Sequence, residues 1–178
     1  GTYVAGIVAG TGATNRGIAP GASIVALKVL DSSGVGYSSD IIAALQWCVT
    51  NKAVYGIRVA NLSLSDSAEW RDPADCDSDV EGMAVSTAVD NGIVVAVAAG
   101  NEGYQRGVGM PACVTDAIAV GASWDSGADV DTPAYFSNRG ELLDVYAPGI
   151  WITSAQMGGS YVTEAGTSSA APHVAGAA

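Results

Sequence analysis

The feature that most constrains this chain is a short, almost purely apolar run near its middle. Residues Ile93–Ala98 read Ile-Val-Val-Ala-Val-Ala, with no alternation of polar and apolar side chains. A strand with one face in water would alternate, whereas a strand buried on both faces does not. Both faces of a strand are buried mainly in parallel sheets, because their crossover connections place helices over the sheet. We therefore expect Ile93–Ala98 to be a central strand of a parallel sheet.

Strand-like and helix-like patterns alternate along the rest of the chain. The spacing of apolar residues predicts helices over Ser39–Lys52 and Ser78–Asn91, and a last helix that begins near Thr167. The other predicted strands are Ile24–Leu30, Val59–Leu64, Ala117–Gly121 and Leu143–Tyr146. This order predicts one α/β domain with a parallel sheet.

The helix predicted over residues 78–91 carries the clearest local signals. Ser78 and Glu81 have the spacing of a capping box, and Asn91-Gly92 is typical of a helix C-terminus. The face that we expect this helix to bury consists of Val80, Met83, Ala84, Thr87 and Ala88.

The composition excludes several classes of protein. Of the 178 residues, 49% are hydrophobic, which is too many for a disordered chain. The chain has 7 basic and 18 acidic residues and a formal net charge of −11, so it lacks the basic face that nucleic-acid binding needs. No apolar run approaches the roughly 20 residues of a membrane helix. We therefore expect neither a nucleic-acid partner nor a membrane partner.

Two polar segments follow predicted strands, at the end of a parallel sheet where ligands bind. Asn101 lies in AAGNEG (residues 98–103), where it is either an amide donor or part of a turn. Ser168 lies in GTSS (residues 166–169) at the start of an alanine-rich helix. That helix N-terminus would stabilise a developing negative charge, although capping is the commonest role of a serine there.

The only histidine does not complete a catalytic site with Ser168, and the first glycine-rich segment does not form a nucleotide-binding site. His173 and Ser168 are separated by about 140° around a helix axis, so they do not face each other and Ser168 would need another base. The segment GTGATN (residues 10–15) lacks the third glycine of a dinucleotide-binding fingerprint and precedes the first clear strand. A nucleotide-binding domain is therefore disfavoured.

Several segments together resemble the subtilisin-like serine proteases, the subtilase family. GTYVAG (residues 1–6) is similar to the family's His-Gly-Thr-His-Val-Ala-Gly, AAGN (98–101) to its oxyanion segment, and GTSSAAPHVAG (166–176) to Gly-Thr-Ser-Met-Ala-x-Pro-His-Val-Ala-Gly. GIAP (17–20), YFSNRG (135–140) and APG (147–149) match in the same order. The resemblance implies a three-layer αβα, subtilisin-like fold with a mostly parallel sheet.

The resemblance also implies a serine endopeptidase that forms an acyl-enzyme without a cofactor for catalysis. Ser168 would be the nucleophile, and Asn101 would donate a hydrogen bond to the oxyanion beside the N–H of Ser168. The implied substrate-binding residues are Gly34, Val35 and Gly36 on one side of an extended peptide, Ser63, Leu64 and Ser65 on the other, and Ala98, Ala99 and Gly100 at the primary pocket.

The chain departs from the family's pattern at four positions. The catalytic histidine would immediately precede Gly1, and the catalytic aspartate would lie further upstream. Tyr3 stands where a second histidine is common, and Ser169 stands where methionine usually follows the nucleophile. We therefore expect residues 1–178 to be a partial peptidase S8 catalytic domain, truncated at both ends and inactive by itself. The alternative is a pseudoprotease, a subtilase-like domain that binds peptides without catalysis.

The three cysteines admit two interpretations. Cys48 lies on the apolar face of a predicted helix, which indicates a buried free thiol. Cys76 and Cys113 lie in loops around the oxyanion segment, and we predict a disulfide between them; the alternative is that all three thiols are free. A disulfide would fit the secreted, extracellular location that the resemblance implies.

One candidate metal ligand comes from the resemblance. Asp144 stands where the family often has an aspartate that helps to bind a structural calcium ion. The acidic segment Asp66–Glu81 does not complete an EF-hand pattern, and we interpret it as a solvated loop. The expected partners are polypeptide substrates, and the expected assembly state is a monomer.

Overall fold

The centre of the computed structural model, which describes residues 1–178, is a parallel sheet of four strands. In chain order the strands are β1 (Val59–Leu62), β2 (Val94–Ala98), β3 (Ile118–Ser123) and β4 (Val145–Pro148), and they lie side by side in that order. The predicted parallel sheet is confirmed, because all three neighbouring pairs run in the same direction. The carboxyl ends of these strands therefore meet at one end of the sheet.

Helices and a hairpin surround this sheet. The helices are α1 (Thr2–Ala9), α2 (Ser38–Tyr55), α3 (Pro73–Asp77), α4 (Val80–Asp90) and α5 (Thr167–Ala177). The hairpin, which was not predicted, consists of β5 (Ile152–Ala155) and β6 (Tyr161–Glu164). None of the helices has the length and apolarity that crossing a membrane requires.

The two faces of the sheet are covered by different helices, which gives a three-layer α/β fold. Val95 and Val97 of β2 are 1% and 0% exposed and belong to the larger core, together with α2 and α4. Ala98 of β2 belongs to a second core, together with Ala170 and Ala171 of α5. Helix α1 packs beside α5. Because alanines line this second interface, α5 can approach the sheet closely.

The predicted strand over Ile24–Leu30 is wrong. Only Leu30 of this segment pairs, in one isolated bridge to Gly36. Ile24 and Val25 are 47% and 41% exposed. A strand needs a neighbour for its backbone N–H and C=O groups, and no strand of this chain lies beside the segment.

The start of α4 and its buried face also differ from the prediction. Asp79, not Ser78, is the N-cap, and its carboxylate accepts a hydrogen bond from the N–H of Glu81 at 2.8 Å. Val80 and Met83 are 61% and 50% exposed. Ala84 and Ala88 are buried as predicted, and the other buried positions are Glu81, Gly82 and Val85. The apolar pattern did not predict these positions, because one of them is a glutamate.

A disulfide joins Cys76 in α3 to Cys113 in the loop before β3, and Cys48 is a buried free thiol. The bond spans a sequence separation of 37 residues, a loop that contains α4, β2 and Asn101. Both sulfurs belong to residues of the larger core, so the disulfide fastens the two ends of the segment that carries the oxyanion candidate within that core.

Removing this disulfide should lower the free energy of unfolding. We expect the double substitution Cys76→Ala with Cys113→Ala to lower it by about 3–4 kcal/mol, because the closed loop restricts the unfolded chain. Urea unfolding measures the difference, and Cys48→Ala serves as the matched control without a cross-link. A double variant as stable as the control, or a native protein whose Cys76 can be alkylated, would contradict the assignment.

The buried carboxyl of Glu81 should make stability depend on pH. Burial raises its pKa, as do the nearby carboxylates of Asp79 and Asp66, while a hydrogen bond with Ser38 opposes them. The folded state therefore binds the proton more tightly than the unfolded state, whose carboxyl has an ordinary pKa near 4.5. The free energy of unfolding should fall as pH rises from that value through the raised folded pKa.

The substitution Glu81→Gln tests this dependence. The variant should lose less stability than the wild-type protein between acid and neutral pH, because an amide does not ionise. Chemical unfolding of both proteins across that range gives the comparison. Parallel pH profiles would show that Glu81 has an ordinary pKa in the folded protein.

Candidate active site

Ser168 is the second residue of α5, and a proline four residues later decides how its backbone is held. In a regular helix the C=O of residue 168 would accept a hydrogen bond from the N–H of residue 172, but Pro172 has no N–H. The Ser63 hydroxyl replaces that donor and binds the C=O of Ser168 at 2.8 Å. The Ser168 hydroxyl in turn donates to the C=O of Ser63 at 3.2 Å. The segment after β1 and the start of α5 are thus joined by two reciprocal bonds.

Asn61 of β1 orients the Ser63 hydroxyl. Its Nδ2 donates to Ser63 Oγ at 2.9 Å, so that Ser63 Oγ accepts from Asn61 and uses its own proton for Ser168. The Oδ1 atom of Asn61 is buried and has no hydrogen-bond partner. The chain of bonds runs from a strand of the sheet to the backbone of the candidate nucleophile.

Asn101 is held by the residue that precedes Ser168. Its Oδ1 accepts from the N–H of Thr167 at 2.8 Å and from the hydroxyl of Thr167 at 3.0 Å. The Thr167 hydroxyl also accepts from the N–H of Gly100 at 3.2 Å. Because Oδ1 faces the start of α5, the amide Nδ2 of Asn101 keeps both of its protons free of any bond within the chain. The structure therefore brings together Ser168 and Asn101, the two residues that the sequence singled out for catalysis.

Ser169 and Tyr3, the two residues that depart from the family's pattern, are hydrogen-bonded to each other. The Tyr3 hydroxyl donates to the C=O of Ile152 at 2.9 Å and lies 2.9 Å from Ser169 Oγ. Since the single proton of Tyr3 goes to Ile152, Ser169 is the donor in their bond. Burial raises the pKa of Tyr3, which keeps its hydroxyl neutral. The Ser169 hydroxyl is therefore committed to Tyr3.

His173 has a role inside α5. Its Nδ1 lies 2.9 Å from the C=O of Ser169. Burial lowers the pKa of His173, while this backbone bond and the charge of Asp125 oppose the shift. No hydrogen bond links its ring to Ser168, in line with the helical separation of the two residues.

The segment Gly34–Gly36 forms a turn whose middle residue is already bonded. The N–H of Val35 donates to the Asp31 carboxylate at 3.0 Å, and its C=O accepts from the N–H of Asp31 at 2.8 Å. Gly34 has a φ of +79°, a conformation that favours glycine. Gly36 lies opposite Leu30 in their bridge, but the hydrogen bond there is the one between Asp31 and Val35, so the N–H and C=O of Gly36 bond to nothing within the chain. Gly36 is thus better suited than Val35 to pair with an extended peptide.

The other two predicted substrate-binding segments lie at the ends of β1 and β2. Ser63, Leu64 and Ser65 directly follow β1, and Leu64 packs against the larger core. Ala98, Ala99 and Gly100 are buried at the end of β2. These two segments thus follow neighbouring strands of the sheet, and their backbones lie at the end of the sheet where ligands of parallel sheets bind.

The side chain of Asp144, the candidate calcium ligand, has a hydrogen-bond partner within the chain. Its Oδ2 accepts a hydrogen bond from the N–H of Ala119 at 2.8 Å, which fastens the start of β4 to β3. No group of three His, Cys, Asp or Glu side chains is placed to hold a metal ion. The residues present therefore do not fit a carboxylate-built calcium cradle, and calcium at Asp144 stays a prediction.

Comparison with known proteins identifies the family. The profile of the subtilase family matches residues 1–178. The chain belongs to the subtilase family. Subtilisin E of Bacillus subtilis is 44% identical to this subtilase over 186 residues, which cover 100% of this chain and 44% of that protein. Subtilisin-like protease 6 of Trichophyton tonsurans is 41% identical over 185 residues, which cover 99% of this chain and 41% of that protein.

Solved structures support the same conclusion for the fold. A cold-adapted subtilisin-like serine proteinase matches this subtilase with a TM-score of 0.83 at 35% identity, covering 98% of this chain and 57% of that one. A psychrophilic protease, S41, gives a TM-score of 0.85 at 32% identity and covers 98% of this chain and 60% of that one. The subtilisin-like fold is therefore confirmed. The subtilase chain spans less than half the length of the two curated relatives named above.

Sequence analysis missed two asparagines that touch this subtilase site, the half-buried Asn61 and the fully buried Asn138. The sequence contained two indications of a role for Asn61. It is a polar residue in an apolar strand pattern, and Pro172 leaves the C=O of residue 168 without its helical donor, so that another polar group must supply one. Asn138 lies in the matched segment YFSNRG, but nothing local in that segment indicates what the side chain binds.

Proposed function

We propose that this chain is the central and C-terminal part of the catalytic domain of a serine endopeptidase, with Ser168 as nucleophile. One observation carries the proposal: Thr167 holds the Oδ1 of Asn101 at the start of α5, directly beside Ser168. A hydroxyl nucleophile and an amide donor with free protons therefore adjoin one helix N-terminus. This combination suits attack on a carbonyl, because the negative charge that develops on oxygen needs preorganised donors.

The proposed reaction follows the acyl-enzyme route. Ser168 Oγ attacks the carbonyl carbon of the peptide bond and loses its proton to a general base. The N–H of Ser168 and the Nδ2–H of Asn101 stabilise the tetrahedral oxyanion. The C–N bond then breaks, the base returns the proton to the leaving amine, and water hydrolyses the ester on Ser168.

The general base comes from outside residues 1–178 in this proposal. His173 bonds to a backbone carbonyl, and Ser168 Oγ bonds to Ser63, so no histidine of the chain serves Ser168. Residues 1–178 alone should therefore show no enzymatic hydrolysis of casein. If the full-length protein also lacks a base at Ser168, the chain is a pseudoprotease that binds peptides.

Substrate, location and assembly complete the proposal. The substrates are polypeptides, which pair with the free N–H and C=O of Gly36 on one side and with the segment Ser63–Ser65 on the other. The disulfide favours an oxidising, extracellular location. The protein acts as a monomer, requires no cofactor for catalysis, and binds neither nucleic acid nor membrane. A calcium ion at Asp144 would be structural only.

Substitutions at the two central residues test the proposal in the full-length protein. Ser168→Ala should abolish peptide hydrolysis and labelling by an organophosphate, because the nucleophile is gone. Asn101→Ala should lower kcat by ~10²–10³ with little change in KM, the range measured for the oxyanion asparagine of a subtilisin. Steady-state kinetics and mass spectrometry of the labelled peptide give both results.

A matched control is available on α2. Asn51 donates its Nδ2 to the C=O of Trp47, remote from the site, so Asn51→Ala should leave kcat unchanged. Labelling of a serine other than Ser168 would overturn the nucleophile, and an Asn101→Ala variant that changes KM alone would overturn the oxyanion role. A wild-type protein that binds peptides but is never labelled would indicate the pseudoprotease.

The serine at position 169 should make the enzyme resistant to peroxide. A methionine beside the nucleophile can be oxidised to a bulkier, polar sulfoxide, whereas Ser169 has no sulfur. The full-length enzyme should keep most of its activity under a peroxide treatment that inactivates the variant Ser169→Met. Residual activity after timed exposure measures the difference.

Ser169→Ala is the control for this experiment. It breaks the hydrogen bond to Tyr3 as Ser169→Met does, but it introduces no sulfur. It should therefore stay resistant, whatever its initial activity. If the wild-type enzyme is inactivated as fast as Ser169→Met, another residue controls the sensitivity and the placement of Ser169 beside the reaction centre is wrong.

A further inference from the structure

Asn138 is a fully buried residue whose polar side chain bonds only to the loop that carries Asn101. It is 0% exposed and lies in the segment between β3 and β4. We define residues 99–104, the loop after β2, as the Asn101 loop. Because a buried amide is unfavourable unless its donors and acceptors are bonded, the partners of Asn138 show what its side chain holds in place.

The side chain of Asn138 binds the Asn101 loop on both sides of Asn101. Its Oδ1 accepts from the N–H of Glu102 at 3.1 Å and from the N–H of Tyr104 at 3.0 Å. Its Nδ2 donates to the C=O of Ala99 at 3.0 Å and to the Glu102 carboxylate at 2.7 Å. All four hydrogen-bonding positions are used, and none goes outside the loop.

The backbone around Asn138 adds to this attachment. The N–H of Asn138 donates to the C=O of Gly100 at 3.0 Å, and the N–H of Arg139 donates to the C=O of Tyr104 at 2.9 Å. Gly100 has a φ of +101°, and a Cβ there would lie 2.3 Å from Asn138 Nδ2. The loop therefore needs a glycine at position 100 in order to fit against Asn138.

Asn101 itself makes no bond to Asn138. The side chain of Asn101 is oriented instead by Thr167, whose N–H and hydroxyl donate to its Oδ1. The amide of Asn101 thus has two independent supports: Thr167 sets the rotation of the amide group, and Asn138 sets the path of the backbone that carries it.

We propose that Asn138 is a positioning residue for the oxyanion site, which holds the Asn101 loop so that the amide of Asn101 meets the transition state. The inference rests on the proposed function. Donors of this kind work because they need no reorganisation during the reaction, and a displacement of about 1 Å can cost up to 10²-fold in rate. Asn138 acts through the backbone of the loop and does not touch the substrate.

The substitution Asn138→Asp alters the hydrogen bonds to the Asn101 loop by replacing one atom, the Nδ2 of Asn138, with an oxygen. The aspartate keeps an acceptor for the N–H groups of Glu102 and Tyr104, but places an oxygen where Nδ2 faces the C=O of Ala99 and the Glu102 carboxylate. Repulsion at those two oxygens should displace the loop. Asn138→Ala removes all four bonds without adding charge. Asn51→Asp, on α2, is the matched control.

The experiment uses the full-length enzyme and measures kcat, KM and inhibition by a peptide aldehyde. Both Asn138 variants should lower kcat by about 10- to 100-fold while KM stays within about twofold. Affinity for the aldehyde, which forms a tetrahedral oxyanion, should fall by a similar factor, whereas affinity for the product peptide should not. Asn51→Asp should change none of these quantities.

Double variants that combine an Asn138 substitution with Asn101→Ala distinguish a positioning role of Asn138 from a merely structural one. If Asn138 acts through Asn101, substituting Asn138 in the Asn101→Ala variant should lower kcat by less than about threefold. The two effects should not add, because the two sites are coupled. The same loss in both backgrounds, or a loss in neither, would overturn the inference. If Asn138→Asp does not fold, Asn138→Ala and its double variant decide the question.

The test also distinguishes the inference from the function on which it rests. A wild-type enzyme that hydrolyses peptides and is labelled at Ser168, but whose Asn138 variants retain full kcat, would remove the positioning role alone. A full-length protein with neither activity nor labelling would remove both.

Discussion

The candidate site depends on one hydrogen-bonded joint between the end of a strand and the start of a helix. The amide oxygen of Asn101, just after β2, accepts two bonds from Thr167 at the start of α5. This contact is possible because the sheet is parallel, so the carboxyl ends of its strands lie at the same edge. A helix that begins at that edge directs its free N–H groups at the loops that follow the strands. The same joint leaves the Nδ2 of Asn101 without a partner in the chain, at the position where Ser168 begins its helix.

Buried polar groups hold both sides of this joint. On the helix side, Pro172 leaves the C=O of Ser168 without its helical donor, and Ser63, oriented by Asn61, supplies one. On the strand side, Asn138 uses every polar atom of its side chain on the loop around Asn101. An unsatisfied buried polar group costs about 1–3 kcal/mol, so such networks favour a single arrangement. Rigidity of the site thus follows from hydrogen bonds that satisfy the polar groups around the joint, with the exception of the Oδ1 of Asn61.

Local sequence patterns predicted the elements better than their contacts. The apolar run over Ile93–Ala98 indicated a strand buried on both faces, and every residue of the run except Val94 is buried. The helix over Ser39–Lys52 and the start of the last helix were also correct within a few residues. The same kind of reasoning failed for Ile24–Leu30, because strand propensity does not supply a pairing partner. For α4 it was correct at Ala84 and Ala88 and wrong at the other three predicted positions, because the buried face includes Glu81.

By itself, the sequence determined the alternation of strands and helices, the parallel sheet, and the presence of Ser168 and Asn101 at the ends where its ligands bind. Periodicity and turn chemistry carry that information locally. Only the tertiary structure decided that Cys76 pairs with Cys113, that Tyr3 bonds to Ser169, and that Asn61 and Asn138 support the two halves of the site. The bond between Ser63 and Ser168 joins residues 105 positions apart. Such contacts form only when distant elements pack together, so they leave no periodic pattern in the sequence.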